Sequence, residues 1–249
     1  MPIVMTAAEA APRRMERVLS AGGTLFSTPY FGASPVFPVG PGQATQDRGP
    51  QAFLVEQNPG SIVSPHFHLE DQFQLIIRGG GTLGRHEVAA ISVHYANAHN
   101  GYGPIVAGET GLAYFTLRRH GDMGAWYLPD ASDRMDRKSR RRQATGGPAA
   151  AAPGTSVAVE PLLARNDDGL GAWHVSAPAR ALVDSVIGAD DGDRFLVSVN
   201  GGISIGDRML DAFGVAYLAA GETSIVEVGE EAAVFLVLCF PHEPSGTPH

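Results

Sequence analysis

The sequence predicts an all-β protein built from two similar β-domains in one chain. Three observations lead to this prediction: short apolar segments at close spacing, glycine and proline between them, and an internal repeat. The 249 residues include 31 glycines and 18 prolines. Segments such as QFQLIIR and AVFLVLCF are rich in the β-branched and aromatic residues that strands favour, and turn residues separate them. Short strands of this kind form antiparallel sandwiches or barrels.

The repeat appears when the chain is shifted against itself by 122 residues. Residues 71–109 then match a second copy without a gap at eleven of thirty-nine positions. The identical residues of the first copy are Asp71, Phe73, Gly79, Gly80, Gly84, Ala90, Val93, Tyr95, Ala98, Val106 and Glu109. Chance gives about two to four matches, and the matched glycines fall where both copies need tight turns. Two homologous β-domains follow from this pattern.

Composition suggests where the domains meet. Residues 128–156 begin with charged residues, end in Gly, Pro and Ala, and contain almost nothing to bury, so they are predicted to be a surface linker. The domains are then 1–127 and 157–249, and helix is expected only in short pieces such as 6–19. The basic run within 137–142 is interpreted as part of the solvated linker and not as a nucleic-acid patch.

Charge and hydropathy exclude several classes of protein. A net charge of −8 and a pI near 5.5 give no general attraction to nucleic acid. The longest apolar run, 232–240, is too short to span a bilayer, and the N-terminus lacks the order of a signal peptide. We therefore expect a cytoplasmic protein without a membrane partner, and its arginine-rich usage suggests a bacterial source. The single cysteine, Cys239, excludes an internal disulfide and is predicted to be a core residue.

The stretch SPHFHLEDQFQLIIRGGG, residues 64–81, contains the strongest chemical signal. In a strand, His66 and His68 project from the same face while Phe67 points away. Two adjacent imidazoles can bind Zn, Fe, Ni or Cu if further ligands converge on them. The second copy has lost every candidate ligand: His66, His68, Gln72 and His99 fall on Gly188, Asp190, Arg194 and Gly221. Chemistry is therefore expected in the first half only.

These residues resemble the two motifs of the cupin superfamily, G-x5-H-x-H-x3,4-E-x6-G and G-x5-P-x-G-x2-H-x3-N. The matches are Gly60, His66, His68 and Gly79 in the first motif and His99 in a degenerate second motif. Gln72 stands where the glutamate ligand is expected. The resemblance implies a bicupin, with two jelly-roll (double-stranded β-helix) barrels, a metal site in the N-terminal barrel and a degenerate C-terminal barrel.

The resemblance also implies one divalent transition metal in the N-terminal barrel. Its ligands would be His66, His68 and His99, with Gln72 either a fourth ligand or a hydrogen-bond partner that fixes a histidine ring. Iron is the preferred ion, and Zn, Ni and Mn remain open. Because three neutral histidines leave the charge of the ion uncompensated, we expect a small, anionic substrate.

Four more residues are candidates near this site. Gln74 shares the face of Gln72 and either contacts substrate or is a buried amide satisfied by the backbone. Arg78 is a candidate clamp for a substrate carboxylate. His94 and Tyr102 are candidate catalytic residues that would move a proton or donate to substrate, and their alternatives are a structural histidine and a packed ring.

The resemblance favours a metal-dependent dioxygenase that acts on a small oxygenated or aromatic acid. The alternatives are a redox-neutral, metal-dependent isomerase or lyase, and a bicupin that binds a small molecule without catalysis. Fold alone cannot separate these functions. Exposed edge strands often pair between chains, so we also expect a homodimer.

Overall fold

The computed structural model describes residues 1–19, 23–32, 49–122, 124–138, 140–150, 152, 155–184 and 192–242. Regular structure in these residues is almost entirely strand, so the predicted all-β class is confirmed. Helix is limited there to one turn, α1 (Ala7–Ala10), and to 3-10 turns at Ala11–Arg13 and Ser132–Arg134. None of the described helices is long and apolar enough to cross a membrane.

The described residues contain twenty-one strands, numbered here in chain order. They are β1 (Ile3–Met5), β2 (Met15–Val18), β3 (Thr24–Phe31), β4 (Gln51–Gln57), β5 (Ile62–Val63), β6 (His66–Phe67), β7 (Gln72–Leu83), β8 (His86–Ala89), β9 (Ser92–Ala96), β10 (Ile105–Arg118), β11 (Trp126–Tyr127), β12 (Gln143–Gly146), β13 (Ala158–Leu163), β14 (Gly171–Ala177), β15 (Leu182–Asp184), β16 (Arg194–Asn200), β17 (Ile203–Ile205), β18 (Arg208–Leu210), β19 (Val215–Leu218), β20 (Ile225–Val228) and β21 (Ala233–Cys239).

Residues 8–149 form one compact unit, the N-terminal barrel. Its main sheet has the strand order β12-β9-β7-β10-β4-β3-β2, with β5 beside β10 and β8 beside β7. A short ribbon of β6 and β11 completes it. One face of the main sheet surrounds an apolar cluster that includes Phe53, Val55, Ile76 and Ile105. The candidate site lies on this inner face.

Residues 1–7 and 150–249 form the second unit, the C-terminal barrel. A six-stranded sheet, β1-β19-β16-β21-β14-β13, and a four-stranded sheet, β15-β20-β17-β18, enclose its core. The core is apolar and includes Trp173, Leu196, Ile203 and Phe235. Cys239 is buried in this core, which confirms its predicted role.

The 122-residue repeat is visible in both units as an Asp–Tyr clamp, in which an aspartate before one strand accepts a hydrogen bond from a tyrosine on the neighbouring strand. The clamps are Asp71 with Tyr95 and Asp193 with Tyr217. In each unit the aspartate also accepts the backbone N–H of the residue three positions after the tyrosine. A phenylalanine two positions after the aspartate meets the tyrosine ring at 5.2 Å in the first copy and 5.1 Å in the second.

Matched positions also share a left-handed backbone. The pairs with positive φ are Gly79 and Gly201, Gly84 and Gly206, Ile91 and Phe213, and His99 and Gly221. A Cβ added at Gly79 would lie 2.1 Å from the carbonyl oxygen of Gly111, and one at Gly201 would lie 2.6 Å from that of Ala232. Only glycine combines this conformation with so close an approach. The matched glycines therefore mark tight turns in both copies.

The N-terminal segment differs from its prediction. The helix predicted over 6–19 is a short turn, because Met15–Val18 pairs with β3 as an antiparallel strand. The first seven residues belong to the C-terminal barrel, where β1 pairs with β19. A strand that joins a sheet far along the chain leaves no composition signal in its own residues.

The segment predicted as a linker over 128–156 also differs. Its strand β12 pairs with β9 in the N-terminal barrel. The backbone N–H of Arg142 donates to Asn97 at 2.7 Å, and Asn100 donates to the Arg142 carbonyl at 2.9 Å. The first unit therefore ends at residue 149 instead of 127, because backbone hydrogen bonds hold a segment that has few apolar side chains.

Candidate functional site

The inner face of the N-terminal barrel carries buried polar side chains. Alternation along β7 directs Gln72 and Gln74 to the face that holds Ile76 of the apolar cluster, and directs Phe73 and Leu75 to the opposite face. Alternation along β10 likewise directs a set of polar side chains to the inner face. These side chains are buried and belong to Tyr114, Thr116 and Arg118.

His66 begins β6 and His68 follows directly after it. Both side chains are buried, and their ring centroids are 5.1 Å apart. Between them Phe67 points the other way and stacks on Trp126. The structure therefore brings the two histidines together inside the N-terminal barrel.

His66 is held at both ring nitrogens. Its Nδ1 lies 2.8 Å from the carbonyl oxygen of Ser64, and its Nε2 lies 2.8 Å from the hydroxyl of Tyr102. A carbonyl can only accept, so Nδ1 carries the proton and Nε2 accepts from the phenol. Burial, together with neighbouring His68, lowers the pKa of His66 to about 3. Burial raises the pKa of Tyr102, so the phenol keeps its proton at neutral pH.

His68 lies between three groups. Its Nδ1 is 2.8 Å from the carbonyl oxygen of Gly124, 3.0 Å from Nη2 of Arg118 and 3.2 Å from Oδ2 of Asp122. Two of these neighbours are acceptors, which favours the form that carries its proton on Nδ1. Burial and the guanidinium of Arg118 lower the pKa of His68. The ring is therefore neutral at neutral pH.

Arg118 is a buried hub of hydrogen bonds. Its Nε and Nη2 donate to Oε1 of Gln72 at 3.2 and 2.8 Å, and its Nη1 donates to Oε1 of Gln51 at 2.7 Å. Nη1 also lies 3.3 Å from the carbonyl oxygen of Asp122. Gln72 in turn donates from Nε2 to the hydroxyl of Tyr102 at 2.5 Å. A fixed cation therefore organises two of the predicted metal ligands.

His99 lies outside this group. Its ring stacks on Phe67 at 5.9 Å, and its Nδ1 accepts the backbone N–H of Asp136 at 3.1 Å. Phe67 and His66 project from opposite faces of β6, so His99 is on the far side of the strand. The cause is the left-handed backbone at His99, a turn that Gly221 makes in the second copy. The predicted set of four ligands is therefore not assembled.

His94 faces Gln74 across β9 and β7, with its Nδ1 3.1 Å from the amide oxygen. Burial lowers the pKa of His94 to about 4. Its ring centroid is 5.3 Å from that of Tyr102. The structure thus places His94 and Tyr102 together, with Tyr102 between His94 and His66.

Arg78 is not in the barrel interior. Its side chain is 55% exposed and donates to Glu56 at 2.8 Å. The register of β7 and β10 shifts between Ala113 and Tyr114, next to this position, and such a bulge changes which residues point inward. The predicted contact of Arg78 with a substrate in this barrel is therefore not supported by its position.

The predicted divalent ion does not fit the residues that the interior holds. The amide oxygen of Gln72 accepts two bonds from Arg118, and Nε2 of His66 accepts from Tyr102. A guanidinium also stands 3.0 Å from His68. Across the described ranges, no three His, Cys, Asp or Glu side chains lie close enough to hold a metal ion. In this structure hydrogen bonds occupy the predicted ligand atoms of His66 and Gln72.

A small cavity opens beside this network. It has a volume of about 30 Å³, taken as the space open to the centre of a water-sized sphere. Its polar wall is formed by His66, His68, Gln74, Tyr102, Tyr114, Thr116, Arg118 and Tyr127. Within the part of the chain that the structure describes, the hydroxyls of Tyr114 and Thr116 have no protein hydrogen-bond partner. Both residues line the cavity, so it offers two hydroxyls to whatever fills it.

Sequence reasoning missed the residues that come from β4, β10 and the turn after β10. These residues are Gln51, Tyr114, Thr116, Arg118 and Asp122. They lie outside both motifs of the resemblance. The available signal was alternation in AYFTLR, which places a threonine and an arginine on one face of an otherwise apolar strand.

Comparison with solved structures agrees with this architecture, whereas two other comparisons found no match. No protein-family profile matches the chain, and no curated protein matches it. Similar solved structures include a "putative dioxygenase" from Nostoc punctiforme, with 13% identity, a TM-score of 0.63 and coverage of 98% of this chain and 88% of that one. Oxalate decarboxylase from Bacillus subtilis, studied for its Mn(II) centres, has 13% identity, a TM-score of 0.59 and coverage of 98% and 78%.

A bacterial pirin from Escherichia coli, in complex with nickel(II), is also similar, with 12% identity, a TM-score of 0.56 and coverage of 97% of this chain and all of that one. At such identities the likeness shows the fold. The chain has the fold of two jelly-roll barrels of the cupin type. The interior of the N-terminal barrel is polar around its cavity, and that of the C-terminal barrel is mostly apolar, with Arg194 fully buried at the position that matches Gln72.

Proposed function

We propose that this bicupin binds a small carboxylic acid in the cavity of the N-terminal barrel, without a metal ion. The observation that carries the proposal is the pair of cavity-lining hydroxyls on Tyr114 and Thr116, which have no protein partner among the described residues. Both are donors for a ligand oxygen. Arg118 lies in the cavity wall whereas Asp122 does not, so a ligand in the cavity meets a positive charge.

The size of the cavity restricts the ligand. A volume of about 30 Å³ holds about two water molecules, or a ligand of about three or four non-hydrogen atoms in their place. Formate and acetate have this size, and an aromatic acid does not. Of the substrates predicted from the sequence, a small oxygenated acid is therefore supported and an aromatic acid is not.

The chemistry available beside the ligand is proton transfer. Tyr102 holds a proton against His66, and His94 lies next to the same phenol. Both residues were predicted as catalytic candidates. A phenol between a neutral imidazole and a bound acid can exchange a proton in either direction, as general acid or base catalysis requires. A protein that only binds the acid and one that also catalyses proton transfer to it would both have this arrangement.

Titration with formate, acetate and benzoate, followed by NMR shifts of amides in β10, tests the proposal. We expect shifts with formate and acetate and none with benzoate. The isosteric Thr116→Val variant removes one donor and should weaken acetate about tenfold. Thr110→Val, on the exposed part of the same strand, is the matched control and should bind as wild type does. Equal affinity in Thr116→Val and wild type would contradict the assignment of the site.

A metal-dependent dioxygenase, the activity expected from the resemblance, is the second candidate. One observation favours it: both His66 and His68 rest their Nδ1 on carbonyl oxygens at 2.8 Å, as metal-ligating histidines do. Similar structures also include proteins with Mn(II) and nickel(II) and one described as a dioxygenase. Metal analysis of protein purified without chelator separates the candidates. About one iron per chain supports the dioxygenase, and a trace amount supports the metal-free cavity.

A further inference from the structure

We propose that Arg118 is the positioning residue of this cavity. It acts through Gln72 to fix the direction of a chain of hydrogen bonds, so that Tyr102 donates to His66 and the Nε2 lone pair of His66 is kept from a divalent ion. The inference goes beyond the proposed function, because it concerns the protein without any ligand.

The direction of these hydrogen bonds is fixed at Arg118, where the series begins. A guanidinium can only donate, so the group of Gln72 that lies 2.8 and 3.2 Å from Arg118 must be the amide oxygen. The amide NH2 then faces Tyr102 and donates to the phenol oxygen at 2.5 Å. The hydroxyl proton of Tyr102 is therefore free to point at Nε2 of His66, 2.8 Å away.

The second end imposes the same direction independently. The carbonyl of Ser64 can only accept, so Nδ1 of His66 carries the single proton of the neutral ring. Nε2 is left as an acceptor, and Tyr102 is the donor that meets it. The guanidinium of Arg118 and the backbone carbonyl of Ser64 thus require the same donor and acceptor in every hydrogen bond between them.

Gln72 is the residue that makes this arrangement possible. A glutamate, which the family motif has at this position, would accept from both Arg118 and Tyr102. The phenol proton would then turn to the carboxylate, and Nε2 of His66 would lose its donor. Amide and carboxylate have nearly the same shape, so Gln72→Glu changes the direction of the bonds with little change in packing.

The test is the state of the His66 ring, read from two-bond 1H–15N NMR spectra of the full chain labelled in histidine. In wild type we expect the Nδ1–H tautomer with a hydrogen-bonded Nε2. In Gln72→Glu we expect the Nε2 signal to move toward the value of an unbonded ring nitrogen. Gln57→Glu is the matched control, since it makes the same change at a buried amide of β4 outside the cavity wall and outside this series of hydrogen bonds, and should leave His66 unchanged.

An unchanged His66 signal in Gln72→Glu, or an equal shift in both variants, would overturn the proposal. The result is independent of acetate binding, so its failure and that of the proposed function are distinguishable. Nickel binding gives a second readout. We expect the double variant Gln72→Glu/Arg118→Met to bind Ni(II) at least about tenfold more tightly than wild type, because a carboxylate is gained and a cation lost. Wild type that binds Ni(II) as tightly as the double variant would also refute the inference.

Discussion

The two barrels share a scaffold and differ in what they enclose. Each has the Asp–Tyr clamp, with ring contacts equal to within 0.1 Å between the copies at 5.2 and 5.1 Å. The N-terminal barrel encloses the network around Arg118, whereas the C-terminal barrel encloses apolar residues such as Leu196 and Phe235. His94 of the first interior is matched by Ala216 of the second.

This difference shows which positions determine the fold and which determine the chemistry. The clamp and the left-handed turns lie at the ends of strands and recur in both copies. The polar interior residues contact one another and are not repeated in the second copy. The cupin fold therefore sets the shape of the interior without specifying its polarity.

The largest expected effect is a selective loss of stability in acid. His66 and His94 have pKa values of about 3 and about 4 when folded, against an ordinary value of 6.5. As the pH falls from about 6.5 to 4, the unfolded chain takes up protons at these positions and the folded chain does not. The free energy of unfolding of the N-terminal barrel should therefore fall by several kcal/mol, on the order of 1.4 for each unit by which a pKa is displaced.

Hydrogen exchange on the intact chain, corrected for the intrinsic effect of pH, measures this loss barrel by barrel. We expect protection to fall in β7, β9 and β10 near pH 4 while β16, β19 and β21 retain theirs. Loss of protection in both barrels at the same pH would show that the buried histidines do not separate them.

Removal of an Asp–Tyr clamp should have a smaller effect on stability, and this effect should be about equal in the two copies. Asp71→Ala and Asp193→Ala each remove two hydrogen bonds to a carboxylate, so each should lower the free energy of unfolding by about 2–3 kcal/mol in urea. Exposed Asp207→Ala serves as the control. A cost in one copy alone would mean that the clamp has different roles in the two barrels.

The smallest effect concerns the matched turn of His99 and Gly221. Gly221→Ala should cost about 1 kcal/mol, since no atom lies within 4 Å and the penalty is conformational. His99→Gly should change stability by less than about 1 kcal/mol, because relief of the left-handed backbone offsets the lost bond to Asp136. Acetate affinity should not change in His99→Gly. A large loss of affinity would show that His99 acts at the cavity after all.

The scaffold could be predicted from the sequence, because tight turns that require glycine and strands with two different faces both leave a local pattern of residues. The pairing of Gly79 with Gly201 identified two copies of one turn, and alternation placed Gln72 and Gln74 on one face. The same repeat also pointed to the position of His99, because a glycine at the matching Gly221 indicates a left-handed turn. Interpreted as a lost ligand, that glycine instead placed His99 in the predicted ligand set, whereas the His99 ring stacks on Phe67 and accepts from Asp136.

The hydrogen-bond network could not be predicted from the motifs. Arg118 lies 46 residues from Gln72 and 67 from Gln51 along the chain, and only the register of β10 with β4 and β7 brings them together. The direction of each bond depends on which donor faces which acceptor. The direction of each bond therefore depends on the three-dimensional arrangement and not on residue spacing.

The Asp–Tyr clamp also bears on how such a protein can evolve. Because the clamp and turns support each barrel without touching its interior, substitutions inside the cavity do not remove the contacts that join the strands. An interior position can then be exchanged one residue at a time while the chain still folds. A duplicated barrel of this kind provides two interiors within one chain, and here the first holds histidines and a polar cavity while the second is mostly apolar, with Arg194 buried at the position of Gln72.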